Sequence, residues 1–289
     1  MMMKFRRVLV DGINIALVLI TLTISACSLR LMYDYLDWIL PWYIDDYVTL
    51  TDQQEKLFDR ATLQFLDWHR SVELPRYVQF FSELKDAQQA PMTQEQVLLF
   101  FDEAGELWTT LLEESLPDLL ILARQLNDSQ IKEIDRALQN DIEELREKYG
   151  KRTDEEQRRF WEERLAENLD DWLGDVKPVQ LELLRQWTET RINTTSDWLA
   201  YRNDWRDRFI ELLHMRDQED FAIDMRDFLL KPQNSYSAPY LQAIEKNRLK
   251  FAKLIADISS TLTAEQRKYL QKELAEIIFD LNDLSEQRG

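Results

Sequence analysis

Few side chains in this sequence can make or break bonds. There is one cysteine, Cys27, and there are two histidines, His69 and His214. In the setting Ile24-Ser25-Ala26-Cys27 the lone thiol reads as a lipid attachment site. A single cysteine closes no internal disulfide, so nothing after it depends on an oxidising compartment to fold. Glu211-Leu212-Leu213-His214 sets a carboxylate and an imidazole on one helix face, the spacing a di-iron helical bundle needs twice. The second copy is missing, because Leu66 stands three residues before His69. Both histidines therefore read as helix-surface or core residues whose ring nitrogens find local partners, and neither a metal ligand set nor a cofactor is expected. Neighbouring acids such as Glu113 with Glu114, or Asp170 with Asp171, point to different helix faces and prepare no two-carboxylate site. No glycine-rich phosphate loop or nucleophile elbow occurs. No catalytic residue is expected.

The residues ahead of Cys27 give its thiol a context. A basic start (Lys4, Arg6, Arg7) leads into an apolar stretch from Ile13 to Ile24 that is short for a bilayer span and ends in small residues. This is the layout of a secretory signal. Ile24 to Cys27 resembles a bacterial lipobox, which implies diacylation of the thiol with fatty chains such as palmitate, cleavage after Ala26 and acylation of the new amino terminus. The other readings are an ordinary buried thiol at Cys27 and an uncleaved anchor from Val8 to Ala26, which places Asp11 and Asn14 in a permanent span at a cost. By the same resemblance, Ser28 after the cysteine implies sorting to the outer membrane on its periplasmic side, with inner-membrane anchoring as the alternative. The expected parts are a signal peptide (1–26), a lipidated aromatic segment (27–49) and a helical domain (50–289), with two lobes divided near 150–175 as a further option.

Removing the signal takes away three basic residues and one acidic one, so the formal charge moves from −18 to −20. Such a surface repels phosphate backbones and anionic headgroups. No nucleic-acid partner is expected, and the membrane would be reached through the acyl chains. The charge also keeps a helical protein soluble.

After cleavage, 263 residues remain, enough to bury one large core or two modest ones. Apolar residues recur at steps of three and four in Ile131, Ile134, Leu138, Ile142 and Leu145, and again in Leu270, Leu274, Ile277, Ile278 and Leu281. Each set makes one helical stripe. Four helix starts share a pattern of apolar residue, cap residue, two variable positions and Gln: Leu50 to Gln54, Met92 to Gln96, Leu126 to Gln130 and Leu262 to Gln266. In each, the cap side chain accepts from the third helical amide while the Gln reaches back, a capping box worth about 1 kcal/mol. Prolines 75, 117, 178, 232 and 239 mark other turns or first-turn positions. These signals predict helices near 53–73, 75–88, 94–115, 117–125, 128–148, 153–173, 178–214, 218–230, 238–260 and 264–285, with the stretch after Pro178 bent around residues 193–196. The fold class expected is all-α, an elongated bundle of about nine to ten helices built from helix-turn-helix units.

The boxes resemble the Leu-Thr-x-x-Gln motif of the periplasmic Spy and CpxP family, which implies an envelope helical protein with chaperone-like or regulatory binding. That family's chaperones use a basic dimeric cradle, whereas this chain is acidic. Tyr35 to Val48, with Asp67-Trp68-His69-Arg70 and Glu73-Leu74-Pro75-Arg76-Tyr77, resembles a family of uncharacterised helical lipoproteins of Gram-negative bacteria. Close behind the anchor, Tyr35, Trp38, Trp42, Tyr43 and Tyr47 form a candidate partner-binding or membrane-proximal patch, or else pack back onto the domain. The expected function is non-enzymatic: binding of an envelope protein or an unfolded client. A cell-wall enzyme with an unrecognised acidic site and a purely structural spacer are the alternatives.

Overall fold

A computed structural model of the chain describes residue 33 and residues 35–286. The expected signal peptide and Cys27 lie outside the described residues. Within them the protein is all-α, with no strand. Its α-helices are α1 Leu36–Asp45, α2 Asp52–Trp68, α3 Leu74–Ala87, α4 Gln94–Gln125, α5 Asp128–Leu145, α6 Asp154–Leu173, α7 Pro178–Thr190, α8 Thr195–His214, α9 Phe221–Leu230, α10 Ala238–Ser260 and α11 Ala264–Glu286.

All four capping boxes form, at Thr51 with Gln54, Thr93 with Gln96, Asn127 with Gln130 and Thr263 with Gln266. A further box joins Thr153 to Glu156 at the start of α6. Half of one forms at α7, where Gln180 accepts from the Lys177 amide at 2.9 Å; a lysine side chain has no acceptor to complete it.

Three of these glutamines, with Gln180, do more than cap. Gln54 and Gln130 are buried and bond each other reciprocally, with Nε2 to Oε1 distances of 3.2 and 2.7 Å. The second Nε2 hydrogen of Gln54 goes to the Gln125 carbonyl (2.8 Å) and that of Gln130 to the Thr49 carbonyl (2.8 Å). Gln180 and Gln266 repeat the arrangement at 3.0 and 2.9 Å. Their outer hydrogens reach the Thr261 hydroxyl (3.3 Å) and the Asp175 carbonyl (2.6 Å). In all four cases the outer acceptor lies two residues before the partner helix's cap residue. Each amide is thus satisfied on both sides, as burial demands. One pair fixes the start of α2 against that of α5, and the other fixes α7 against α11.

Two principal hydrophobic clusters lie between the helices. The larger gathers Leu74, Phe80 and Phe81 of α3, Leu107 of α4, Leu165 of α6, Trp187 of α7, Phe251 and Leu254 of α10, and Leu274 and Leu281 of α11. The second joins Val48, Leu50 and the carboxyl end of α4 to Ile131, Ile134 and Leu138 of α5, Leu212 and Leu213 of α8, and Phe221 and Met225 of α9. The 32-residue α4 runs through both, a length of roughly 48 Å at about 1.5 Å per residue. Both clusters draw side chains from either side of residues 150–175.

Three boundaries differ from the sequence expectation. Pro117 lies inside α4 instead of ending a helix, because burial of Leu107, Leu116 and Leu122 on either side offsets the lost backbone bond, about 3 kcal/mol in an isolated helix. Helix runs unbroken from α2 into α3 through a π-turn at His69–Glu73, where the Leu74 amide bonds the His69 carbonyl five residues back. That extra residue of slack accommodates Pro75. The stretch after Pro178 is two helices, since the amide of Asn247 on α10 takes both backbone groups of Ile192, each at 2.9 Å, and holds the chain open between α7 and α8.

Replacing Gln54 or Gln130 by Ala strands buried donors and acceptors, so each single change should destabilise the protein by about 1–3 kcal/mol. The double change should cost less than the sum by about 1 kcal/mol. Chemical denaturation of the three variants measures both quantities.

Candidate functional site

The aromatic segment behind Cys27 divides into rings that hold it to the body and rings that face solvent. Tyr33 is buried in the larger cluster, and its hydroxyl meets His69 Nδ1 at 3.0 Å. The two rings stack at 5.7 Å, and the Arg70 guanidinium lies over the Tyr33 ring at 5.5 Å. Phe65, Trp68 and Tyr77 complete an aromatic surround of His69, with centroids 5.9, 6.3 and 5.5 Å away. At the far end of the segment, Tyr43 and Tyr47 share a hydroxyl contact of 3.1 Å, and Tyr47 donates to Asp141 on α5 at 2.7 Å. The Thr49 amide donates to Glu133 at 2.9 Å.

Between these two fixings α1 lies along α2. Its inward side chains, Leu36 and Ile44, touch the two clusters. Tyr35, Trp38 and Trp42 occupy positions i, i+3 and i+7, one helical face, and keep 58%, 63% and 45% of their surface exposed. Of the five residues singled out in the sequence, the structure brings Tyr35, Trp38 and Trp42 together on the outside. It turns Tyr43 and Tyr47 to the anchoring contacts.

The π-turn makes this arrangement possible. It sets His69, Arg70 and Glu73 in one wide turn beneath the docked Tyr33. Burial, and to a lesser extent the neighbouring Arg70 charge, lowers the His69 pKa to about 4, so the imidazole is neutral at physiological pH. Glu73 is wholly buried; Arg76 donates to its Oε2 at 2.8 Å and to the Thr110 hydroxyl at 3.0 Å, while Oε1 has no partner. Burial raises the Glu73 pKa, against the lowering effect of Arg76. Tyr77 is pushed up by burial and by the Glu73 charge. Tyr47 is raised too, by burial and by its bonds to Tyr43 and Asp141.

The sequence expectation for His69 was a local partner. Its partner is instead Tyr33, 36 residues away, and only the aromatic density around Trp68 and Tyr77 hinted at it. His214 sits exposed at the end of α8, and the carboxylate of Glu211 is held by Arg208 at 2.5 Å. Among the described residues no group of three or more His, Cys, Asp or Glu is placed to hold a metal ion, and no helix is long and apolar enough to cross a membrane.

Residues 46–241 match a family of unknown function, DUF6279. The chain belongs to that family. The matched span begins at the last residues of the aromatic segment and takes in Tyr47, the π-turn and both partners of the first glutamine pair. It stops short of α11, and so includes Gln180 but not Gln266. No curated protein and no solved structure matches the chain.

A pH experiment tests the Tyr33–His69 contact. The unfolded chain takes up a proton at His69 below about 6.5, whereas the folded protein does so only near 4. Stability from this residue is therefore present above pH 6.5, falls as the pH drops through that interval by about 3 kcal/mol, and is level below it. Glu73, raised on folding, acts in the opposite sense, its contribution being lost as pH rises through its folded value. The difference between wild type and His69→Phe isolates the histidine, and the variant should lose the 6.5-to-4 decline in denaturation midpoints.

Proposed function

We propose that this DUF6279 member is a lipid-anchored protein of the bacterial envelope that binds another envelope protein without catalysing a reaction. The exposed face of Tyr35, Trp38 and Trp42 carries the reading. These rings sit on a helix held at one end by Tyr33 and His69 and at the other by Tyr47 and Asp141, so little conformational freedom remains to be lost on binding. Rigid Trp and Tyr side chains are the residues that carry most energy at protein interfaces. A protein partner fits better than lipid headgroups, because Asp37 and Asp45 on the same helix and a net charge of −20 after cleavage repel an anionic surface.

The same reading takes Cys27 as diacylated, with palmitate among its chains, the signal removed after Ala26, and the body on the periplasmic side of the outer membrane. The motif glutamines argue against a chaperone surface, since three of them, with Gln180, are spent on joining helix ends.

Radiolabelled palmitate should enter the wild-type protein and not Cys27→Ser. Crosslinking in intact cells followed by affinity capture should recover one envelope protein in stoichiometric amount. Capture should fall on the order of tenfold in Trp38→Ala/Trp42→Ala with the fold intact by circular dichroism. Recovery unchanged in that variant would defeat the assignment of the face, and a broad set of unfolded clients would replace the adaptor reading with a chaperone-like one.

A further inference from the structure

The break between α7 and α8 opens a cavity of about 160 Å³ against the first turns of α6. Its wall includes Arg191, the first residue after α7, whose guanidinium lies over the Trp161 ring at 4.7 Å and reaches the Trp187 ring at 5.9 Å. Burial alone draws the Arg191 pKa down, to about 10. Arg158 stands exposed at the rim. Neither arginine meets a carboxylate among the described residues, and burial is the sole cause of the Arg191 shift, with no charge facing its guanidinium. The indole nitrogen of Trp161 is buried without an acceptor.

The acids lining the cavity are already held. Asp154 accepts from Asn193 at 2.8 Å, and Glu189 from Arg185 at 2.5 Å. Two helix starts also meet here. Asp154 opens α6, whose start carries the Thr153–Glu156 box, and Asn193 precedes α8 and accepts from the Thr195 amide at 3.1 Å.

A guanidinium that lies over an indole ring without an ion-pair partner keeps N–H donors that can receive a carboxylate through two parallel bonds. We propose that this pocket is a binding site for a carboxylate, received by Arg191 with Arg158 guiding it from the rim. Asp154 and Glu189 repel a dianion about twice as strongly as a monoanion, so a carboxylate is favoured over phosphate, and the available volume suits a small acid or the carboxyl end of a peptide. The site lies on α6 to α8, on different elements from the aromatic face of α1.

The test uses the full-length chain in detergent, labelled with 5-fluorotryptophan, with the Trp161 fluorine resonance identified by Trp161→Phe. At constant ionic strength, acetate and N-acetyl-alanyl-alanine should each shift that resonance saturably, and chloride and the dipeptide's C-terminal amide should not. Tighter binding of the dipeptide acid than of acetate identifies a peptide end as the source; equal binding identifies a free small acid. Arg191→Lys should weaken binding on the order of tenfold or more, while Arg159→Gln, one position beyond the rim arginine and paired with Glu155, should leave it unchanged. Arg158→Gln gives a second reading with an exposed residue that the fold does not need, and a severalfold weakening is expected. A linear shift, equal binding of the amide, saturation by phosphate at the same concentrations, or wild-type binding by Arg191→Lys and Arg158→Gln together would each overturn the assignment.

Discussion

The reciprocal glutamine pair is the constraint on which the helix arrangement depends. A helix start leaves amide hydrogens without intrahelical partners, and burying one start against another would leave several such groups stranded. Gln54 and Gln130 solve this at one junction and Gln180 with Gln266 at another, each amide capping its own helix and bridging to its partner. Two starts that would otherwise have to face water can therefore meet inside the protein. The helices departing from each junction are held together at their starts, and the clusters pack the space between them.

The sequence shows half of this device. Four capping boxes are legible because Thr or Asn followed by Gln three residues later is a local signal, and the stripes at Ile131, Ile134, Leu138 and Ile142 give the buried face of α5 directly. Which glutamine meets which is a tertiary fact. Gln180 in particular has no hydroxyl or amide cap residue to mark it, since Lys177 stands in that place. The misplaced boundaries have the same origin. Pro117 and Pro75 are local breakers overridden by burial and by a π-turn, and the break at Arg191 to Thr194 is made by Asn247 from another helix. The all-α class needed none of these distant contacts, whereas the docking of Tyr33 on His69 and the Arg191 cavity both depend on them.

The candidate aromatic site and the Arg191 cavity both lie where local rules are broken. The π-turn, a departure from regular helix, puts a neutral histidine and a buried glutamate beneath the aromatic segment and so secures α1. The open stretch after α7 sets Arg191 in the wall of a cavity that a continuous helix would have closed. In the DUF6279 family match, the span from Asp46 to residue 241 includes both of these irregularities. The exposed tryptophans of α1 precede it, so the family's shared framework supplies the base on which they stand.

The path of α4 through both hydrophobic clusters has a consequence for how the protein comes apart. Melting either cluster removes packing from one half of that helix and leaves the other half attached to a frayed neighbour. The clusters are further interleaved, because α5 completes its cluster only with α8 and α9, while α3 completes the other with α10 and α11. No point in the described residues divides the chain so that each cluster falls wholly on one side, and loss of either cluster loosens the other.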